Sequence, residues 1–204
     1  MYLVELNTRY NGDIMTYTDA FNTAINHAML YEVGSYWDLD SEGAKDGTNA
    51  RNCGHTNDSN DPGGETKYGI SKNENPDIDI AQLNWEGAEA IYYDRYWIAG
   101  QCDKLPDRIA VLHFDGCVNN GVRESAIFLQ RAIGAEADGD IGPATLAAVA
   151  TFDPIVVCGA ICDQRSTFYH NIVSRTPSQG EYLNGWLRRV SEMRTFSTDP
   201  TGTF

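Results

Sequence analysis

Apolar residues first fall into a regular pattern at Phe21, Ala24, Ile25, Ala28 and Met29. Gaps of three and four put them on one side of an α-helix. Thr18, just ahead, offers a hydroxyl to cap its first turn, and Gly34 is a natural stop. The spacing therefore predicts a helix from Thr18 that ends near residues 31–34. Residues 1–17 carry no period and read as an N-terminal extension. From 35 to 66 the chain is polar and rich in Gly, Asn and Asp, again without a period. Within it, DPGG (61–64) is a turn by composition.

Periodic positions return after residue 80. Asn84 caps a helix in WEGAEAIYYDRYW (85–97), where Ala88, Ile91, Tyr92 and Tyr96 share a face. Pro106 opens the next helix, carrying Ile109, Ala110, Leu112, His113 and Cys117, and Gly121 ends it. Residues 123–133 form another, closed by Gly134. DGDIGP (138–143) is a tight turn, more so than a calcium loop, because the glycine is misplaced for an EF-hand. Pro143 suits the first position of a helix over 143–151. Asp153 and Pro154 start one that runs to about residue 174, and Pro177 breaks the chain before a last helix over 179–193. No alternating stretch is long enough for an extended strand. The expectation is a mainly α chain, with at most a small β-hairpin in 35–72 and a loose tail at 197–204.

Composition narrows the class. The 204 residues suit one large domain or two lobes, enough to bury a core without disulfide or metal support. Fifteen Lys and Arg against 29 Asp and Glu leave a net charge of −14, which argues against a nucleic-acid partner. No stretch approaches the roughly 20 apolar residues of a membrane span. The start, MYLVELNTRYNGDIM, has neither the cationic beginning nor the apolar run of a secretory signal, so synthesis in the cytoplasm is expected. Cys53, Cys102, Cys117, Cys158 and Cys162 are odd in number and irregular in spacing, and they read as core or free thiols. Cys102, His113 and Cys117 make a conceivable zinc set, but no CxxC spacing supports it, so no metal or cofactor is expected.

Candidate chemistry centres on Glu32. It closes an apolar helix and faces a polar, glycine-rich loop, where packing can raise a carboxyl pKa and keep it protonated. Asp61 and Thr66 bracket the glycines downstream, in a loop able to fold back across Glu32. An acid, a second carboxylate and a hydroxyl suit glycoside hydrolysis: one protonates the leaving oxygen, one supports the developing positive charge or a water, one orients that water. The plain alternative is a helix-end surface charge and a turn former.

NDPGGETKYGIS (60–71) and DIDIAQLNWEGAEAIYYDRYW (77–97) resemble the N-acetylmuramidases of glycoside hydrolase family 108. FDGCVNNG (114–121), LQRAIG (129–134), DGDIGPATLAAV (138–149) and RSTFYHNIVSRTPSQGEYLNGWLRRV (165–190) resemble the peptidoglycan-binding region that follows in such enzymes. The resemblance implies a lysozyme-like helical bundle, a catalytic region over 18–105 and a peptidoglycan-binding region over 106–196. It places the family's EGGY glutamate on Glu32, its DPGG aspartate on Asp61 and its threonine on Thr66. Val33 replaces the motif's first glycine. The stretch between Glu32 and Asp61 is about twenty residues longer than in typical members, so residues 41–59 are expected to bulge out as a solvated rim loop, and Asp58 is a fallback for Asp61.

The resemblance further implies cleavage of the β-1,4 bond between N-acetylmuramic acid and N-acetylglucosamine. Peptidoglycan would be the partner, and the chain would act as a monomer, as a phage endolysin released through a holin or as a virion-associated lysin. The acidic balance removes long-range attraction to an anionic wall, which bears on encounter rate and not on chemistry. Tyr68 is a candidate sugar-stacking face, and Asp115 and Asn119, four apart near a helix end, are candidates for lining the cleft. A lytic transglycosylase and a non-catalytic wall-binding or tail protein are the rival readings.

Overall fold

A computed structural model describes residues 17–34, 37–38, 40–57 and 63–202. The chain divides into two compact units, Met1–Asp94 and Arg95–Phe204.

In the first unit, helix α1 covers Asp19–Glu32 and buries Phe21, Ala24, Ile25, Ala28 and Met29, the expected face. The Thr18 hydroxyl accepts from the Phe21 amide at 3.2 Å, which satisfies one of the amides a helix start leaves open. After α1 come a one-turn helix, α2 (Ala50–Cys53), and a hairpin of β1 (Thr66–Lys67) and β2 (Ile70–Ser71) with Lys67 opposite Ile70. Helix α3 follows at Trp85–Tyr92, capped as predicted by Asn84, whose side chain accepts from the Gly87 amide at 3.0 Å.

The stretch expected to be a solvated rim loop is exposed at many of its described residues, yet it is anchored to the first unit at several points. Ala44 and Cys53 are fully buried. The Cys53 carbonyl accepts from the Tyr68 amide at 2.7 Å, the Lys45 carbonyl accepts from the Trp85 amide at 2.8 Å, and Thr56 pairs with Thr66 through reciprocal bonds of 2.9 Å. Backbone polar groups of this stretch are satisfied by the hairpin and by α3, so little of it needs an apolar side chain to stay in place. The sequence expectation missed these anchors because it counted apolar side chains alone.

Past Tyr92 the helix relaxes into a π-helical turn, Tyr93–Ile98. The wider turn shifts the inward face by one position, so Trp97 is buried where helical spacing favoured the half-exposed Tyr96.

The second unit is a helical bundle. A 3-10 turn (Cys102–Lys104) leads into α4 (Asp107–Asn120), which is buried without interruption from Ile109 to Cys117 and serves as the central helix. Helices α5 (Val122–Ala132), α7 (Pro154–Arg175) and α8 (Leu183–Thr198) pack on it, and α7 and α8 also pack on each other. Between α5 and α7 lies the short α6 (Pro143–Val149), with Pro143 in its first turn as predicted.

The 138–142 turn is organised by the buried Gln130. Its side-chain amide donates to the Asp138 carboxylate at 2.6 Å and to the Asp140 carbonyl at 2.9 Å, and its oxygen accepts from the Gly139 amide at 2.8 Å. A 3-10 turn, Pro177–Tyr182, occupies the first residues expected of the last helix. At the other end that helix runs on to Thr198, so the expectation of a loose tail from residue 197 fails. Ser197 is buried, and the Arg108 guanidinium donates to the carbonyls of Ser197 and Asp199 at 2.8 and 2.7 Å and to that of Gly202 at 3.3 Å. Among the described residues, no single helix is long and apolar enough to cross a membrane.

Candidate active site

The tip of the β1–β2 hairpin is a two-residue loop, Tyr68-Gly69, with φ of +53° and +73°. Positive φ at both positions is the pattern of a type I′ turn, whose twist matches that of the flanking strands. Glycine adopts it freely, but a tyrosine there is strained by about 1–3 kcal/mol and persists only where surroundings over-determine it. They do so here. Tyr68 is fully buried, with Trp37 and Trp85 against its ring at centroid distances of 6.3 and 5.8 Å. Its amide donates to the Cys53 carbonyl, its hydroxyl donates to the Ala44 carbonyl, and its own carbonyl accepts from the Tyr92 hydroxyl at 2.9 Å.

The result is that Gly69 meets Glu32. A Cβ on Gly69 would lie 2.8 Å from the Glu32 Cβ and 2.8 Å from the Tyr92 hydroxyl. The backbone of the hairpin tip therefore packs on the stem of Glu32, which stands half-buried at the last position of α1. Rigid helix, rigid turn and close contact together hold this carboxyl, which is what a general acid requires of its support. Thr66 sits at the start of β1, half-buried, with its hydroxyl donating to the Gly64 carbonyl at 3.2 Å. Asp61 and its fallback Asp58 lie outside the described residues. Glu65 reaches the His55 ring, expected to be solvated, at 2.9 Å.

Two further groups of the first unit, one of them touching this hairpin tip, were given no catalytic role from the sequence. The Tyr92 hydroxyl, read as core, is the clamp that holds the Tyr68 carbonyl. Glu89 lies one turn before Tyr92 on α3, half-buried. Burial first, and the neighbouring Glu86 charge second, push its carboxyl up to about 7, with the Trp85 side chain opposing. Nothing in helical periodicity distinguishes such a glutamate from a solvated one.

Two of the proposed substrate contacts are corrected by burial. Tyr68 is sealed inside the first unit and offers no face for a sugar. Asp115 is 1% exposed and serves as the electrostatic centre of the second unit. Its carboxylate accepts from Arg165 Nη1 on α7 at 2.7 Å and from Arg189 Nε on α8 at 2.9 Å. Burial alone would push this carboxyl up, but the two guanidinium groups outweigh it and hold it below the usual carboxylate range. Asn119 is half-buried, donating to the Tyr169 hydroxyl and accepting from Arg189 at 3.4 Å. It is a member of the same polar network.

All five thiols are free and buried. Three potential metal ligands, Cys102, His113 and Cys117, converge in the second unit, with their ligand atoms within 4.8 Å of one another.

The chain is similar to known proteins along most of its length. No curated relative matches it. The solved structure of Brucella abortus SagA is similar with a TM-score of 0.66 at 24% identity, covering 88% of this chain and 97% of that one. That similarity supports the mainly α, lysozyme-like fold with a small hairpin. Residues 40–121 match the family described as Glycosyl hydrolase 108, a segment that begins beyond Glu32, and residues 124–191 match the one described as Predicted Peptidoglycan domain. With the two matches in this order, a glycoside hydrolase 108 region is followed by a peptidoglycan-binding region, and the chain is a glycoside hydrolase that acts on peptidoglycan.

Proposed function

We propose that the enzyme is an N-acetylmuramidase, hydrolysing the β-1,4 bond between N-acetylmuramic acid and N-acetylglucosamine, with Glu32 as the acid. The observation that carries this reading is the seating of Glu32. It closes α1, stands half-buried, and is braced by the backbone of Gly69 in a turn that exists only because Tyr68 is clamped in a left-handed conformation. A carboxyl so placed can hold a proton and deliver it to the glycosidic oxygen. Asp61 supplies the second carboxylate and Thr66 orients the water. On this reading the enzyme lyses a host wall as a phage endolysin or a virion-borne lysin.

The test is Glu32→Gln, which keeps the side chain's shape but cannot donate the proton. Wall lysis should fall by at least ~10²–10⁴ with the fold intact by circular dichroism. Clearing of permeabilised cells at a rate near that of the parent would remove Glu32 from the mechanism. Mass spectrometry of the products decides the reaction class, since hydrolysis leaves a reducing sugar and transglycosylation an anhydro sugar.

A further inference from the structure

Cys102 lies in the 3-10 turn before α4, while His113 and Cys117 lie one turn apart on α4 itself. Residues four apart share a helix face, so the imidazole and one thiol point the same way, and the turn brings the second thiol to them. All three side chains are sealed, with exposures of 1% or less. His113 Nε2 is 3.5 Å from Cys117 Sγ. A tetrahedral zinc ion with Zn–S of about 2.3 Å and Zn–N of about 2.0–2.1 Å has an S···N edge of about 3.6 Å. The observed pair already has that separation.

The surroundings are shaped for it. Ser125 Oγ stands 2.9 Å from His113 Nδ1 and 2.9 Å from the His113 carbonyl. With its proton on the carbonyl, the hydroxyl can accept from Nδ1–H, the tautomer in which Nε2 ligates an ion; without an ion, Nε2–H can instead donate to the Gly100 carbonyl. The Ser125 hydroxyl is the outer partner that a metal-bound histidine normally has. On the other side the Gly100 carbonyl is 3.1 Å from Nε2. Gly100 has no room for a side chain: a Cβ would lie 2.8 Å from Cys117 Sγ and 3.3 Å from Cys102 Sγ. The turn thus brings a backbone oxygen and two sulfur atoms around one imidazole nitrogen.

We propose that Cys102, His113 and Cys117 form a structural site for a soft divalent cation of the zinc class, with the Gly100 carbonyl or a water in the fourth position. Binding displaces the protons of both thiols and joins the Cys102–Lys104 turn to the central helix. No catalytic step uses it, and it stands independently of the assignment of Glu32. The chemistry of the set, two thiolates and an imidazole in a dry pocket, selects zinc or cobalt(II) over magnesium or calcium.

Because the pocket is sealed, the whole chain should be produced in medium supplemented with zinc or cobalt(II) and purified with a reductant. Zinc-grown protein should carry about one zinc per chain. Cobalt-grown protein should show thiolate-to-cobalt charge transfer in the near ultraviolet and the visible bands of a tetrahedral ion. Cys117→Ser and His113→Gln should lose both signals, while Cys158→Ser, outside the set, keeps them. Removing the ion with a strong chelator should lower the thermal midpoint of the parent and leave that of Cys117→Ser unchanged. The proposal is overturned if the parent protein, folded and reduced, carries no stoichiometric metal from either medium. It is equally overturned if peptide mapping finds Cys102 and Cys117 joined as a disulfide in the zinc-grown protein. Neither result depends on a variant folding.

Discussion

Gly69 rests against Glu32 so closely that a single methyl group would not fit between them: its Cβ would lie 2.8 Å from the Cβ of the glutamate. Gly69→Ala therefore tests the seating of the proposed acid. Alanine at φ +73° costs about 1–2 kcal/mol from its own backbone, and the clash must also push Glu32 or the hairpin tip aside. Displacement of a catalytic group by about 1 Å is worth on the order of 10² in rate. Lysis should fall by that order while urea unfolding shows a loss of only a few kcal/mol. Activity that falls no more than the folded fraction would show that the contact is merely structural.

The segment 41–59 should not tolerate replacement by a short Gly-Ser bridge. The change removes the buried Ala44 and Cys53, the acceptors of the Tyr68 hydroxyl and amide, and the Thr56 partner of the hairpin. Each unsatisfied buried group costs about 1–3 kcal/mol, so several together exceed the reserve of an ordinary domain. Loss of the cooperative thermal transition of the first unit is the expected result. A midpoint within a few degrees of the parent would restore the view of this segment as a free rim loop.

Asp115→Ala should be destabilising by about 3–5 kcal/mol, because it leaves two buried guanidinium groups without their shared anion. Chemical denaturation measures it. The ion cluster also makes an acid prediction. The Asp115 carboxyl titrates lower in the folded protein than its ordinary value of 3.8, so its contribution is present above that value and lost as pH falls through the folded pKa. Asp115→Asn should therefore narrow its stability deficit below about pH 4. A deficit that stays constant with pH would mean that the carboxylate charge is not what matters.

Glu89 has the opposite sign. Its folded pKa, about 7, is raised from 4.5, so the folded state binds more protons than the unfolded one between these values. Stability contributed by this group is greatest below about pH 4.5 and falls as pH rises towards 7. Glu89→Gln should flatten that slope in thermal melts and raise the midpoint at pH 8, while lysis stays within a few-fold of the parent. If Glu89→Gln abolishes lysis and Glu32→Gln does not, the proton donor is Glu89.

Much of the helical layout was legible in the chain, because capping and periodicity are local. Thr18, Asn84 and Asp153 cap the helices they were expected to cap, since a side-chain oxygen there reaches an amide only two or three residues away. The face of α1 followed from 3.6-residue spacing for the same reason. The ordered motifs DPGG, YGIS and DGDIGP carried the family reading. What only the tertiary structure decided is which polar groups are inside. Asp115 looks like any helical aspartate until Arg165 and Arg189, 50 and 74 residues away, close on it. Tyr68 looks like a sugar platform until Trp37, Ala44 and Trp85 enclose it. Cys102, His113 and Cys117 have no motif spacing, and their convergence depends on how one turn folds back over α4. Each of these is a contact between parts of the chain that local preference cannot bring together, and burial by distant partners sets both the charge and the role of the residue.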